Sequence, residues 1–187
     1  TATRLDNALK WMMERKTDGK AMALSRDQTE RIDILMEQCS ILFPGSDRVK
    51  ALVIKKTELD KRMEEADRTI LENRTMRADK YTGKDAEDLK KLVQTIVQKE
   101  IRGAALLKTN IVSDDWRRES VVEWSDTTHT ALQNRVTDSL TAQAAVKQGA
   151  EIFLLTVFLN QDKIGGKDRP LTGHVMYKER LLEKNIR

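Results

Sequence analysis

The chain has 187 residues, of which 39% are hydrophobic, 34% are charged and only 4% are aromatic. Eight glycines and two prolines are few for a sheet protein, whose strand ends need turn residues, so the composition favours an all-α fold. The net charge of +4 comes mostly from residues 161–187, where seven basic and four acidic residues give a balance of +3, and charges of both signs are interspersed elsewhere. It is weak evidence for a nucleic-acid ligand.

Three helices are predicted in the first half of the chain from apolar residues spaced three or four apart. The first covers residues 3–16. The second follows the capping-box pattern at 25–28 and ends at Pro44-Gly45. The third has heptad spacing from Val49 to Ile70, interrupted by the polar Lys56, which is typical of a coiled coil. Its next breaker is "YTG" at 81–83, so residues beyond Leu71 are predicted to form an exposed helical overhang.

A further long helix is predicted from Asp85 to about Ala105, because its apolar stripe is wide enough to face several neighbours. A short segment with Trp116 and Trp124 follows. These tryptophans are eight residues apart and would share one face of a helix. Packing of both in the core is the favoured interpretation. Stacking on bases or anchoring of an interface is the alternative.

The last long helix is predicted over about residues 128–160. It ends in "AEIFLLTVFLN", which is apolar on every side of a helix and therefore needs protein around it. Residues 161–173 contain glycine, proline and basic residues and are predicted to be a loop. A C-terminal helix is predicted from about 174 to 186.

These elements predict an elongated all-α helical bundle with long, coiled-coil-like helices. The predicted organisation is a single domain with the bundle at 1–160, the basic loop at 161–173 and the last helix at 174–187.

No motif predicts a cofactor, a metal site or catalysis. Cys39, His129 and His174 lie far apart in the sequence and lack metal-ligand spacing. Neither histidine lies in a pattern that would activate a nucleophile. The lone cysteine excludes an internal disulfide and favours an intracellular location, and no apolar run is long enough for a membrane helix.

The leading functional prediction is a non-enzymatic structural or adaptor module that associates with itself or another protein through helix packing, as a homo-oligomer in the favoured case. Phe153 is expected to point inward and Phe158 towards the partner. The predicted interface residues are Leu59, Met63, Phe153, Val157, Phe158 and Leu159.

The alternative prediction is a nucleic-acid-associated helical protein that uses basic residues near the C-terminus and beside Trp116. Its predicted polyanion-binding residues are Arg117, Arg118, Lys163, Lys167 and Arg169. An enzyme whose site is assembled from scattered residues is the third prediction.

Overall fold

The computed structural model describes residues 2–4, 6–8, 10 and 26–186. The chain divides into two compact units, Thr1–Asn73 and Arg74–Arg187. The first is helical, whereas the second contains a curled, six-stranded antiparallel sheet and one long helix. The predictions of an all-α fold, a helical bundle and coiled-coil architecture are therefore wrong.

The first unit contains α1 (Arg26–Leu42) and α2 (Asp47–Asn73), in addition to helical residues within 2–10. The predicted stop at Pro44-Gly45 is confirmed, and Gly45 has a φ of 80°. Leu59 is buried with Ile32 and Met36 of α1. Ser25 of the capping box and much of the helix predicted over 3–16 lie outside the described residues.

Lys56, the polar residue that interrupts the heptad pattern, contacts two carboxylates. Its Nζ lies 2.7 Å from an oxygen of Asp33 on α1 and 2.6 Å from one of Asp60 on α2. The predicted overhang beyond Leu71 is wrong, since α2 ends at Asn73 and Met76 is buried in the second unit.

The second unit begins with an extended segment and continues with α3 (Ala86–Glu100). The helix predicted to begin near Asp85 is confirmed, but it ends earlier than expected, at Glu100, and is followed by a turn in which Gly103 has a φ of 75°. The sheet then follows, with strands β1 (Ala105–Ile111), β2 (Arg117–Trp124), β3 (Leu132–Gln148), β4 (Glu151–Ile164), β5 (Lys167–Asp168) and β6 (Thr172–Arg180).

The sheet is centred on the long hairpin of β3 and β4. Strands β1 and β2 lie end to end along the side of β3 that faces away from β4. Strands β6 and β5 lie end to end along the side of β4 that faces away from β3. A tight connection at Gly149 joins β3 to β4, and Gly165-Gly166 joins β4 to β5. All three glycines have positive φ, which is required at such hairpin turns. The low glycine content predicted an all-α fold wrongly, because strands as long as β3 and β4 need few turns.

The helix predicted at 128–160 and the C-terminal helix predicted at 174–186 are wrong, because β3, β4 and β6 occupy these residues. A short 3-10 helix, Glu183–Asn185, follows β6. The apolar run at 152–159 is a central strand that is covered on both faces. Strands of this kind show a continuous apolar run instead of alternation, so the run imitates a buried helix.

One face of the sheet packs against α3 to form the main core. Alternate residues of β3 and β4 meet Leu89, Val93, Ile96 and Val97 of α3. On the opposite face Met76 packs with Ala145, Leu154 and Leu181.

Two buried amides fix the extended segment that contains Met76. The Arg77 N–H donates to Gln143 Oε1 at 2.8 Å, and Asn110 Nδ2 donates to the Arg77 carbonyl at 2.6 Å. Because both amides are nearly inaccessible to solvent, each bond satisfies a group that would be costly to leave unpaired.

Candidate protein-binding site

Strands β2 and β3 form a hairpin whose tip projects beyond the rest of the sheet. The pairing of β3 with β4 begins at Arg135, and just beyond it the Asn134 carbonyl accepts a bond from the Gly165 N–H at 3.4 Å. Leu132 and Gln133 of β3 are paired with β2. Side chains at this tip therefore lack the cover that α3 gives the middle of the sheet.

Asp126 organises the turn at residues 125–131. Its carboxylate accepts bonds from the Thr130 N–H at 3.1 Å, the Thr130 hydroxyl at 2.5 Å and the Thr128 hydroxyl at 2.9 Å. These bonds, led by that of the Thr130 hydroxyl, lower the pKa of Asp126 to about 2. At neutral pH the turn is thus held by an ionised carboxylate.

One face of the tip is apolar and exposed. Trp124 and Leu132 are directly opposed across the hairpin, and Val122 lies two residues from Trp124 on the same face. The exposed fractions are 66% for Val122, 49% for Trp124 and 61% for Leu132. Single exposed apolar residues are ordinary, whereas a contiguous group of them is a candidate interaction surface. The ring of His129 lies against one side of the Trp124 indole, with the two ring centroids 5.2 Å apart. We call Val122, Trp124 and Leu132 the hairpin patch.

Among the described strands, β2 pairs only with β3. We call the edge of β2 that faces away from β3, beside this patch, its free edge. The Ser125 N–H donates to the Ala131 carbonyl at 2.8 Å, and the β2–β3 register is regular from Arg117 to Trp124. Hydrogen-bonded pairs alternate along an antiparallel ladder. The backbone groups of odd-numbered β2 residues therefore face β3, and those of even-numbered residues face outward.

A polar cavity of about 510 Å³ lies at the base of the hairpin, on the same face of the sheet as the patch. Its lining residues are Asp115, Trp116, Arg118, Asp138 and Gln161.

The polar groups around this cavity are bonded to one another. Arg118 Nε and Nη2 each donate to Asp138 at 2.7 Å, and the hydrogen bond from Arg118 lowers the pKa of Asp138. Trp116 Nε1 donates to Tyr81 Oη at 3.1 Å, and Tyr81 donates to Asp85 at 2.8 Å. Burial and the bond to Asp85 raise the pKa of Tyr81. The cavity is therefore lined by an indole ring and by a guanidinium whose positive charge is paired with the Asp138 carboxylate.

Most of the predicted interface residues have little surface available to a partner. Val157 and Leu159 are fully buried in the main core, and Phe153 packs against its edge. Phe158 is half-buried on the opposite face of the sheet, with its ring 6.4 Å from that of His174.

The two interface residues predicted on α2 lie in or against the core of the helical unit. Leu59 is buried there, and Met63 packs against the same cluster. Other apolar side chains near the connection between α1 and α2 are exposed, namely Ile41, Leu42 and Phe43.

The predicted polyanion-binding residues lie on β2 and near the end of β4. Three of them have acidic partners within 3.1 Å: Arg117 with Glu119, Arg118 with Asp138, and Lys163 with Asp168. Lys167 and Arg169 are exposed where the chain returns from β4 towards β6. Arg118 and Lys163 both lie near the carboxylate of Asp138, and their positive charges lower its pKa.

The sequence pattern points to Trp124 but not to the hairpin patch as a whole. Spacing on a helix placed Trp116 and Trp124 together, and the structure separates them: Trp116 packs against the main core and Trp124 is half exposed. The available signal was "SVVEW", a run of β-branched and aromatic residues followed by a turn-rich segment.

Among residues 26–186 and the described positions before them, no three His, Cys, Asp or Glu side chains cluster closely enough to hold a metal ion. None of the helices in this part of the chain combines the length and apolar character needed to cross a bilayer. Comparison with protein-family models, curated proteins and solved structures finds no match to this chain.

Proposed function

We propose that the chain is a non-enzymatic protein-association module that binds through the tip of the β2–β3 hairpin. The observation that carries this proposal is the hairpin patch, where a tryptophan, a leucine and a valine are exposed together on one face. Tryptophan is enriched among the residues that dominate binding energy at interfaces. The sequence pointed to helix packing as the means of association, and the exposed hairpin now offers a better-defined surface.

Two features of the hairpin support its use in binding. Three hydrogen bonds to the Asp126 carboxylate stabilise the turn, and a surface that is ordered before binding loses less entropy on association. The free edge of β2 adds unpaired backbone groups that can extend the sheet with another strand.

Polyanion binding has less support, because three of its five candidate residues already contact carboxylates. Such pairs reduce the net positive charge that a phosphate backbone would meet.

Photocrosslinking tests the proposal. Benzoyl-phenylalanine would replace Leu132 in the patch or, as a matched control, Leu107 on β1, which is also a strand leucine and is 45% exposed. After irradiation in cells that produce the chain, the adducts are identified by mass spectrometry. We expect position 132 to give a defined protein adduct, of this chain or another, at several times the yield of position 107. Equal yields, or no adduct at position 132, would contradict the proposal.

A further inference from the structure

The free edge of β2 is complementary to itself. We infer that the partner of the hairpin is a second copy of this chain, joined by antiparallel pairing of the two β2 edges about a two-fold axis at Ser120. This inference rests on the proposed function and names the partner of the same surface.

The outward-facing backbone groups of β2 match one another in this arrangement. A two-fold axis perpendicular to the sheet pairs residues whose numbers add to the same even value. With Ser120 on the axis, it faces Ser120 of the second copy, and Arg118 faces Val122. All three belong to the even-numbered set whose N–H and carbonyl groups face outward. Each copy thus supplies the groups that the other lacks.

The side chains select this register. On one face Arg117, which lies 2.7 Å from Glu119 of its own strand, is opposite Glu123 of the second copy, which lies 3.9 Å from Arg135 of its own chain. Two-fold symmetry makes the pair of Arg117 and Glu123 twice and adds it to these contacts. Two neighbouring symmetric registers keep the same backbone groups facing each other. One has Glu119 on the axis, opposite Glu119 of the second copy, and the other has Val121 on the axis and places Glu119 opposite Glu123. Like charges directly opposite each other destabilise a strand pair, whereas opposite charges stabilise it. Charge complementarity therefore favours the register with Ser120 on the axis.

The other face brings the exposed tryptophan to the cavity. In the same register Trp124 lies opposite position 116 of the second copy, beside the cavity that Trp116 and Arg118 line. Its indole can pack on Trp116 and against the guanidinium of Arg118, which is paired with Asp138. Symmetry repeats this contact, so the arrangement uses both the patch and the cavity.

Charge reversal provides the test. Two variants of the full chain, Arg117→Glu and Glu123→Arg, are studied separately and mixed, by light scattering and native mass spectrometry. Each variant alone places like charges opposite each other twice, so its dimer dissociation constant should rise at least about tenfold. The mixture places opposite charges in both pairs and should form a heterodimer. The double variant of one chain should dimerise as the wild type does.

Control substitutions change the same charges elsewhere. Lys167→Glu and Glu183→Arg lie at exposed positions of the second unit outside β2. These variants should dimerise like the wild type, alone and mixed. Circular dichroism establishes that every variant is folded, and recovery in the mixture shows that the hairpin is intact.

The outcomes separate this inference from the proposed function. A wild-type dimer that tolerates each charge reversal, or a mixture that fails to recover, would overturn the pairing and leave the patch as a binding surface. A monomeric chain whose position 132 crosslinks to another protein would also overturn it. A monomer without adducts at position 132 would overturn both.

Discussion

Leu159 distinguishes a core role from an interface role for the apolar run. The sequence placed this residue at a partner interface, whereas in the structure it is fully buried between the sheet and α3. Leu159→Ala removes three carbon groups at about 0.8 kcal/mol each. A cavity term adds to that loss, so we expect a total of about 3 kcal/mol, within the roughly 2–5 kcal/mol of buried leucines.

Leu107→Ala is the matched control, because Leu107 is a strand leucine that is nearly half exposed. We expect it to cost about 1 kcal/mol, since only part of the side chain leaves water on folding.

Urea unfolding followed by circular dichroism measures the difference. With a slope of about 2 kcal/mol per molar, Leu159→Ala should lower the midpoint by roughly 1.5 M and Leu107→Ala by about 0.5 M. The slope should not change, and the loss should be the same at all protein concentrations. A loss that disappears on dilution would place Leu159 at an interface and refute its assignment to the core.

Three further predictions follow from single contacts. A Cβ on Gly173 would lie 2.6 Å from the Phe158 carbonyl oxygen, so Gly173→Ala should destabilise the sheet unit by about 1–3 kcal/mol in thermal unfolding; an unchanged melting temperature would contradict this contact. Gln143→Leu removes the acceptor of the Arg77 N–H and should cost about 1–3 kcal/mol, with faster hydrogen exchange at residue 77 as the specific sign. The pKa of Asp126, followed by carboxyl NMR, should be about 2. Because this pKa lies below its unfolded value, the contribution of the turn to stability is complete above about pH 4 and is lost as pH falls through 2; a value near 4 would contradict the bonds to Asp126.

The helices could be predicted because their signals are local. Pro44-Gly45 stops α1, and Gly103 lies just beyond α3. The buried stripe of α3 matches its predicted face from Leu89 to Val97. In each case the residues that determine the element lie within a few turns of one another, so the sequence carries the information directly.

The sheet could not be predicted because its evidence is non-local. Strand β3 contains "LTAQAAVKQ", whose alanines favour a helix by intrinsic propensity. In the structure Ala144 faces α3 and Ala145 faces Met76. Small side chains there let α3 and the extended segment approach the sheet closely. Because both faces are covered, the alternation that identifies a strand is absent, and only tertiary contacts override the helical preference.

The binding site shows the same limit at a finer scale. Trp116 and Trp124 are separated by eight residues, which places them on one side of a helix and also on one side of a strand. The spacing therefore could not distinguish the two structures. What separates these tryptophans is depth along the hairpin: Trp116 lies near the end of the sheet that α3 covers, and Trp124 lies beyond the point where β4 stops pairing. The residue at which β4 stops pairing depends on the register between β3 and β4. The sequence of β2 carries no information on this register. The exposure of Trp124, and with it the inferred contact with a second copy, is thus a property of the assembled sheet.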